Sequence, residues 1–175
     1  GQTVNRPFKA PEFVIFNSKG EKVNKSAFDN VYYAFTFEGQ AGAYKNRHVT
    51  KRIKSFINML PVKKRAMIKL FSVADVFQYA IFKSIVLSKV RNKEKEDKSV
   101  IYCDFNGDIL KKFYMLGSNT NFVLVDKKGI VKFLVKGIVN QKTLNRILNY
   151  LIKEFDVPFM HAPIDVSPAF GSGGY

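Results

Sequence analysis

The sequence predicts an α/β fold, a three-layer sandwich in which a mixed central sheet carries helices on both faces. Three observations predict it. Phe122, Val123, Leu124 and Val125 form an apolar run without alternation, the mark of a strand buried on both faces. The turn Asp126-Lys127-Lys128-Gly129 joins that run to a second one at 130–135, which reads as a β-hairpin. Upstream, short β-branched and aromatic runs alternate with helical periodicity, so part of the sheet is parallel. Right-handed crossovers then place helices on both faces.

In chain order, residues 1–11 are a polar, Pro-bearing lead-in, 12–16 a short strand and Asn17-Ser18-Lys19-Gly20 a turn. VYYAFTF at 31–37 is the first core strand. The loop Glu38-Gly39-Gln40-Ala41-Gly42 opens a helix over 44–60. Val49, Ile53, Phe56, Ile57 and Leu60 line one side of that helix, and Lys51, Arg52, Lys54 and Asn58 the other. Pro61 stops it, and 66–73 is the second core strand. Asp75 suits the N-cap of a second helix at 76–91. That helix is apolar over a wider arc than one sheet contact needs. It is either buried between sheet and loops or a docking surface that offers Phe77 and Phe82 to a partner or to a membrane interface. Residues 91–98 are expected to be a solvated charged loop, 99–105 a third core strand and 109–116 a short helix.

In the hairpin, only Gly129 accepts a positive φ without steric cost. The second strand partly alternates, Val131, Phe133 and Val135 against Lys132, Leu134 and Lys136, as an edge strand does. Leu144, Ile147, Leu148, Leu151, Ile152 and Phe155 then repeat at helical spacing and close the domain, which runs over 12–155. Residues 156–175 carry Pro158, Pro163, Pro168 and Gly171-Ser172-Gly173-Gly174, and are expected to be an extended arm.

A chain of 175 residues with 46% apolar residues and 17 Phe builds a real core and is not a disordered basic tail. Its net charge of +15 favours acidic partners: nucleic acid, anionic lipid or an acidic protein face. Residues 45–98 hold 15 Lys and Arg against 4 Asp and Glu, so +11 of the charge lies there. Lys51, Arg52 and Lys54, and Lys63-Lys64-Arg65, suit lipid phosphates or RNA, although a solvated helix face explains the first group equally well. RNA stacking would need exposed rings, and Tyr32, Tyr33, Phe35 and Phe37 fall in a core strand. Cys103 is the single cysteine, and lies within an expected core strand as a small hydrophobe. No intramolecular disulfide is possible. His48 and His161 are too few and too isolated for a zinc site, and no metal or cofactor is expected. No apolar run reaches the roughly 18 residues of a bilayer span. The first residue is Gly1, as at a chosen boundary or after removal of a presequence, and the sequence leaves both open.

The order β–β–α–β–α–β–α–β–β–α, together with Phe122-Val123-Leu124-Val125-Asp126, Gly129, Ile130 and Gly137, resembles the thioredoxin-like fold in its peroxiredoxin-type version. The resemblance implies redox cysteines at the start of the helix after the first core strand, where the helix dipole lowers a thiol pKa. Glu38-Gly39-Gln40-Ala41-Gly42 holds that place without Cys, Ser or Thr. The superfamily's proline, expected near Thr120, is absent too. Thiol exchange and peroxide reduction are therefore not expected.

The second half, through the aromatic helix, Leu116-Gly117-Ser118-Asn119 and Phe122–Asp126, resembles the mitochondrial ATP synthase assembly factor family. The Arg-Trp of that family is replaced by Val131-Lys132-Phe133. The resemblance implies a redox-inactive binding protein on the matrix side of the inner membrane. It would be an assembly factor or accessory subunit that contacts subunits of a large membrane complex and no small-molecule substrate. The same end pattern occurs in bacterial periplasmic thioredoxin-like proteins, and a basic component of a mitochondrial ribosome is a further alternative. No enzymatic role is expected; Glu38, His48 and Asp126 are the acid–base groups near the loop. Asp126 reads as a turn residue bonding its own backbone and His48 as a solvated residue, and a strongly shifted pKa in either of the two, beside a pocket, would reverse that expectation.

Overall fold

The computed structural model describes residues 2–3 and 6–157. Its strands are β1 (Gln2–Thr3), β2 (Phe8–Lys9), β3 (Val14–Phe16), β4 (Lys22–Asn24), β5 (Tyr32–Glu38), β6 (Ile68–Ala74), β7 (Ile101–Cys103), β8 (Thr120–Val125) and β9 (Ile130–Lys136). The helices are α1 (Arg47–Met59), α2 (Val62–Arg65), α3 (Lys83–Asp97), α4 (Asp108–Lys112) and α5 (Gln141–Glu154). One mixed sheet runs β1-β9-β8-β5-β6-β7-β3-β4, with β2 also on β9. β5 is central: it pairs parallel with β6 and antiparallel with β8. The α/β sandwich expected from the sequence is the one observed.

Alternation along β5 sorts its side chains between the two faces. Tyr33, Phe35 and Phe37 join Phe71, Phe113 and Ile109 in the main core, on the α4 side. The rings are closely packed: Phe28 lies 4.9 Å from Phe71, and Phe35 lies 5.3 Å from Phe71. These rings are buried, so they offer no stacking surface. Thr36 and Glu38 point to the opposite face, which α1 and α3 flank.

The hairpin turn behaves as its sequence requires. Gly129 has φ +78°, and Asp126 Oδ1 accepts the amides of Lys128 and Ile130, each at 2.9 Å. β8 is buried along its whole length. β9 is not an edge strand, contrary to the expectation from its alternation. Part of the lead-in, β1 and β2, pairs antiparallel with it and covers its outer side.

The aromatic helix differs most from expectation. Phe77–Phe82 is a 3-10 segment kinked at Tyr79, and the α-helix begins only at Lys83. It then runs through RNKEKED, expected as a loop, to a left-handed stop at Lys98. Asp75 does not cap it; its Oδ2 accepts the Ser118 amide at 3.0 Å. The strand expected over 99–105 is only three residues long, because Asp104 turns inward to hold α4. Its carboxylate accepts the amides of Asp108 (2.8 Å) and Leu110 (3.0 Å).

The chain divides into two compact units, Gly1–Val139 and Asn140–Tyr175. The described part of the second is α5 and its flanks, and Asn140 Oδ1 caps α5 by accepting the Thr143 amide at 2.8 Å. The expected arm lies outside the described residues beyond Val157, as does His161.

Candidate functional site

Glu38 ends β5, Gly39 follows, and Gln40–Gly42 form a 3-10 turn. The start of α1 is therefore displaced from the loop, to Arg47. The two glycines explain why the loop is so tight. A Cβ on Gly39 would lie 2.3 Å from Ser118 Cα, and one on Gly42 would lie 2.1 Å from the Asn119 carbonyl carbon. The loop backbone is pressed onto residues 118–120, so neither position has room for a side chain.

Behind the loop, Asn46 is fully buried and ties three elements together. Its Nδ2 donates to Thr120 Oγ1 (2.9 Å) and to the Gly137 carbonyl (3.1 Å), and its Oδ1 accepts the Val139 amide (2.8 Å). Asn46 does not stand out in the sequence. The one available signal, an Asn before a helix, would have suggested a cap, and the side chain makes no capping bond. His48 is exposed but not merely solvated: its Nε2 lies 2.7 Å from the Val139 carbonyl oxygen.

Glu38 faces the other way, into a cavity of about 1440 Å³ between α1, α3 and the sheet. Thr36, two residues before it on the same face, is fully buried. Its Oγ1 lies 3.0 Å from Ser72 Oγ, and the two hydroxyls share a hydrogen bond. Burial pushes the Glu38 carboxyl up to about 7, the Thr36 hydroxyl hydrogen bond works against that rise, Asp97 adds to it and Lys93 opposes it. A carboxyl that changes charge near neutrality, on a cavity wall, is an acid–base group.

Cys103 is the opposite case. It is fully buried beside Phe16, Leu87, Val90 and Phe105, and burial, with Glu94 adding, pushes its thiol up to about 12. It therefore holds no thiolate at neutral pH.

Of the residues singled out in the sequence, Lys51, Phe82, Glu38, Gly39 and Gln40 line this one cavity. Ala41 and Gly42 do not, and neither do Phe77, Arg52, Lys63, Lys64 and Arg65. Phe77 is 42% exposed, with the Lys111 ammonium 4.3 Å from its ring centroid. Arg65 Nε donates to the Leu60 carbonyl at 2.7 Å, which closes the end of α1.

A pH dependence follows from two carboxyls. Asp104 is pushed up to about 6, chiefly by burial, with its two backbone hydrogen bonds opposing. Both groups hold their protons to higher pH when folded than when unfolded. Their contribution to stability is therefore full below the ordinary carboxylate range and is lost as pH rises through about 6 and then about 7. The melting temperature is expected to fall between about pH 4 and about pH 7. Glu38→Gln should remove the upper part of that fall; a flat profile in the parent chain would contradict this assignment.

No family model matches the sequence, and no curated protein does. Solved structures do match. The thioredoxin domain of a thiol-disulfide oxidoreductase from Bacteroides vulgatus aligns with TM-score 0.54 at 18% identity, over 82% of this chain and 95% of that one. A thiol-disulfide oxidoreductase from Bacteroides fragilis aligns with TM-score 0.58 at 18% identity, over 82% and 99%. A thiol peroxidase from Chromobacterium violaceum aligns with TM-score 0.60 at 12% identity, over 84% and 86%. The fold is thioredoxin-like. The expectation that the chain has no enzymatic role is corrected by this comparison, because the proteins that share its scaffold are oxidoreductases and a peroxidase. In this chain the loop over 38–42 contains no Cys, is closed backbone against backbone, and has a carboxyl as the ionisable group at its edge.

Proposed function

We propose that this chain is a bacterial-type thioredoxin-like enzyme in which Glu38 moves protons to and from a ligand held between α1 and α3. The observation that carries the reading is the place of Glu38. It stands at the end of the central strand, beside the former redox loop, with its carboxyl on the wall of the large cavity. The bacterial alternative is preferred to ATP synthase assembly because the solved structures that support the fold are bacterial thiol-disulfide proteins and a peroxidase. Ionised, Glu38 accepts a proton from the ligand; protonated, it returns one. The Tyr44 amide, 3.4 Å from Oε2, orients the carboxylate, and burial keeps its pKa near neutrality.

The test uses proton abstraction from a nitrobenzisoxazole. A base removes the ring C–H proton, the electron pair forms the nitrile, and the N–O bond breaks to give a phenolate. The rate should rise as pH passes about 7, and Glu38→Gln should lower it by about a hundredfold. Carboxyl-carbon NMR should place the Glu38 midpoint at the same pH. A midpoint in the ordinary carboxylate range, or a rate indifferent to Glu38→Gln, would overturn the proposal.

A further inference from the structure

The cavity has a charge pattern that Glu38 alone does not explain. Nine Lys and Arg line it against four carboxyls. On α1, Arg47 and Lys51 are one turn apart, and on α3 so are Lys89 and Lys93. None of these four cations has a carboxylate partner among the described residues. Three of the four carboxyls are already engaged: Glu94 Oε1 accepts the Ile101 amide at 3.0 Å, Asp75 the Ser118 amide, and Glu38 Oε2 the Tyr44 amide at 3.4 Å.

Between the two cationic rails the surface is apolar. Leu70 lies on the sheet side, and Phe82 and Ile85, 53% and 56% exposed, lie on the α3 side. Two contacts join α1 and its leading turn to α3. The Lys93 ammonium sits 3.9 Å from the Tyr44 ring centroid, and Lys54 Nζ donates to the Lys98 carbonyl at 3.2 Å. Arg47 also lies over the Tyr44 ring, 5.6 Å from its centroid, which leaves Lys51 and Lys89 as the rim cations with neither a salt bridge nor a ring contact among the described residues; an apolar trough with such a cation on each rim suits a ligand with an apolar body and an anionic end. A free inorganic anion would leave the trough unfilled, and an uncharged chain would leave the cations unmatched.

We infer that the α1/α3 cavity takes a single-chain amphipathic anion, a long-chain carboxylate, with its chain against Leu70, Phe82 and Ile85 and its head group between Lys51 and Lys89. This rests on the reading of the cavity as the site that Glu38 serves, and it names the class of ligand.

The test is calorimetric titration of the chain with sodium laurate below its micelle concentration, beside sodium acetate and the uncharged dodecyl maltoside. Laurate should bind at one site. Dodecyl maltoside and the variant Lys51→Ala/Lys89→Ala should each show about tenfold weaker binding. Ile85→Asp should abolish binding; Ile85 is exposed, so the charge is tolerated by the fold, and circular dichroism checks that. Absence of laurate binding, equal binding of acetate, or affinity unchanged in both variants would overturn the inference. Glu38→Gln should still bind laurate. Binding without the proton-abstraction activity would therefore sink the proposed chemistry and spare the ligand class, and activity without binding would do the reverse.

Discussion

Gly42→Ala is expected to lower stability by about 3 kcal/mol, a fall in melting temperature of roughly 6–12 °C for a chain of this size. The added methyl would stand 2.1 Å from the Asn119 carbonyl carbon, 2.2 Å from its oxygen and 2.5 Å from the Thr120 nitrogen. All three are backbone atoms at the start of β8, and no flexible side chain is there to move aside. Gly129→Ala is the control for space: nothing lies within 4 Å of its Cβ position, so only its φ of +78° penalises that change. Calorimetric melting of both variants checks the contrast. If Gly42→Ala melts within a degree or so of the parent chain, residues 39–42 are not held against residues 118–120 as described.

Asn46→Ala should destabilise by a similar amount, about 3 kcal/mol, for a different reason. The side chain is fully buried and fills three hydrogen-bonding roles, two as donor and one as acceptor. Alanine leaves the Val139 amide and the Gly137 carbonyl without that partner, and each such buried group costs about 1–3 kcal/mol. Asn46→Asp is the informative companion. It keeps the acceptor for Val139 but sets a carboxylate against the Gly137 carbonyl, so it should be no better than alanine. Denaturant melts of the two variants read the effect directly. A change under about 0.5 kcal/mol in Asn46→Ala would mean that the three bonds do not hold α1 to the hairpin.

Much of the framework was legible locally. The apolar run at β8, the Asp126–Gly129 turn and the 3.6-residue repeats of α1 and α5 are signals contained within a dozen residues. β1 and β2 were not legible, because two-residue strands carry no period; only their pairing with β9 defines them. The same pairing turned an apparent edge strand into an interior one. The extension of α3 through RNKEKED was hidden because a charged run has no apolar stripe and reads equally well as loop.

The site was half visible. Glu38, Lys51 and Phe82 stood out singly, as a loop acid, a helix cation and an exposed aromatic, and no local pattern groups them. They meet only because parallel crossovers stack α1 and α3 over β5 and β6. The charge state of Glu38 depends on burial and on Asp97, fifty-nine positions further along the chain, so no local reading reaches it.

By itself, the amino-acid sequence determined the class of fold, the place of the hairpin turn, the absence of sulfur from the loop over 38–42 and the burial of the one cysteine. Each of these follows from residue type and short-range period. Tertiary structure alone decided that the loop is sealed against β8, that β9 is covered, and that a carboxyl with a near-neutral pKa shares a cavity with four cations outside the salt bridges of the described residues. Those facts depend on distances between residues far apart in the chain, and on desolvation, which exists only once the chain has folded around the group.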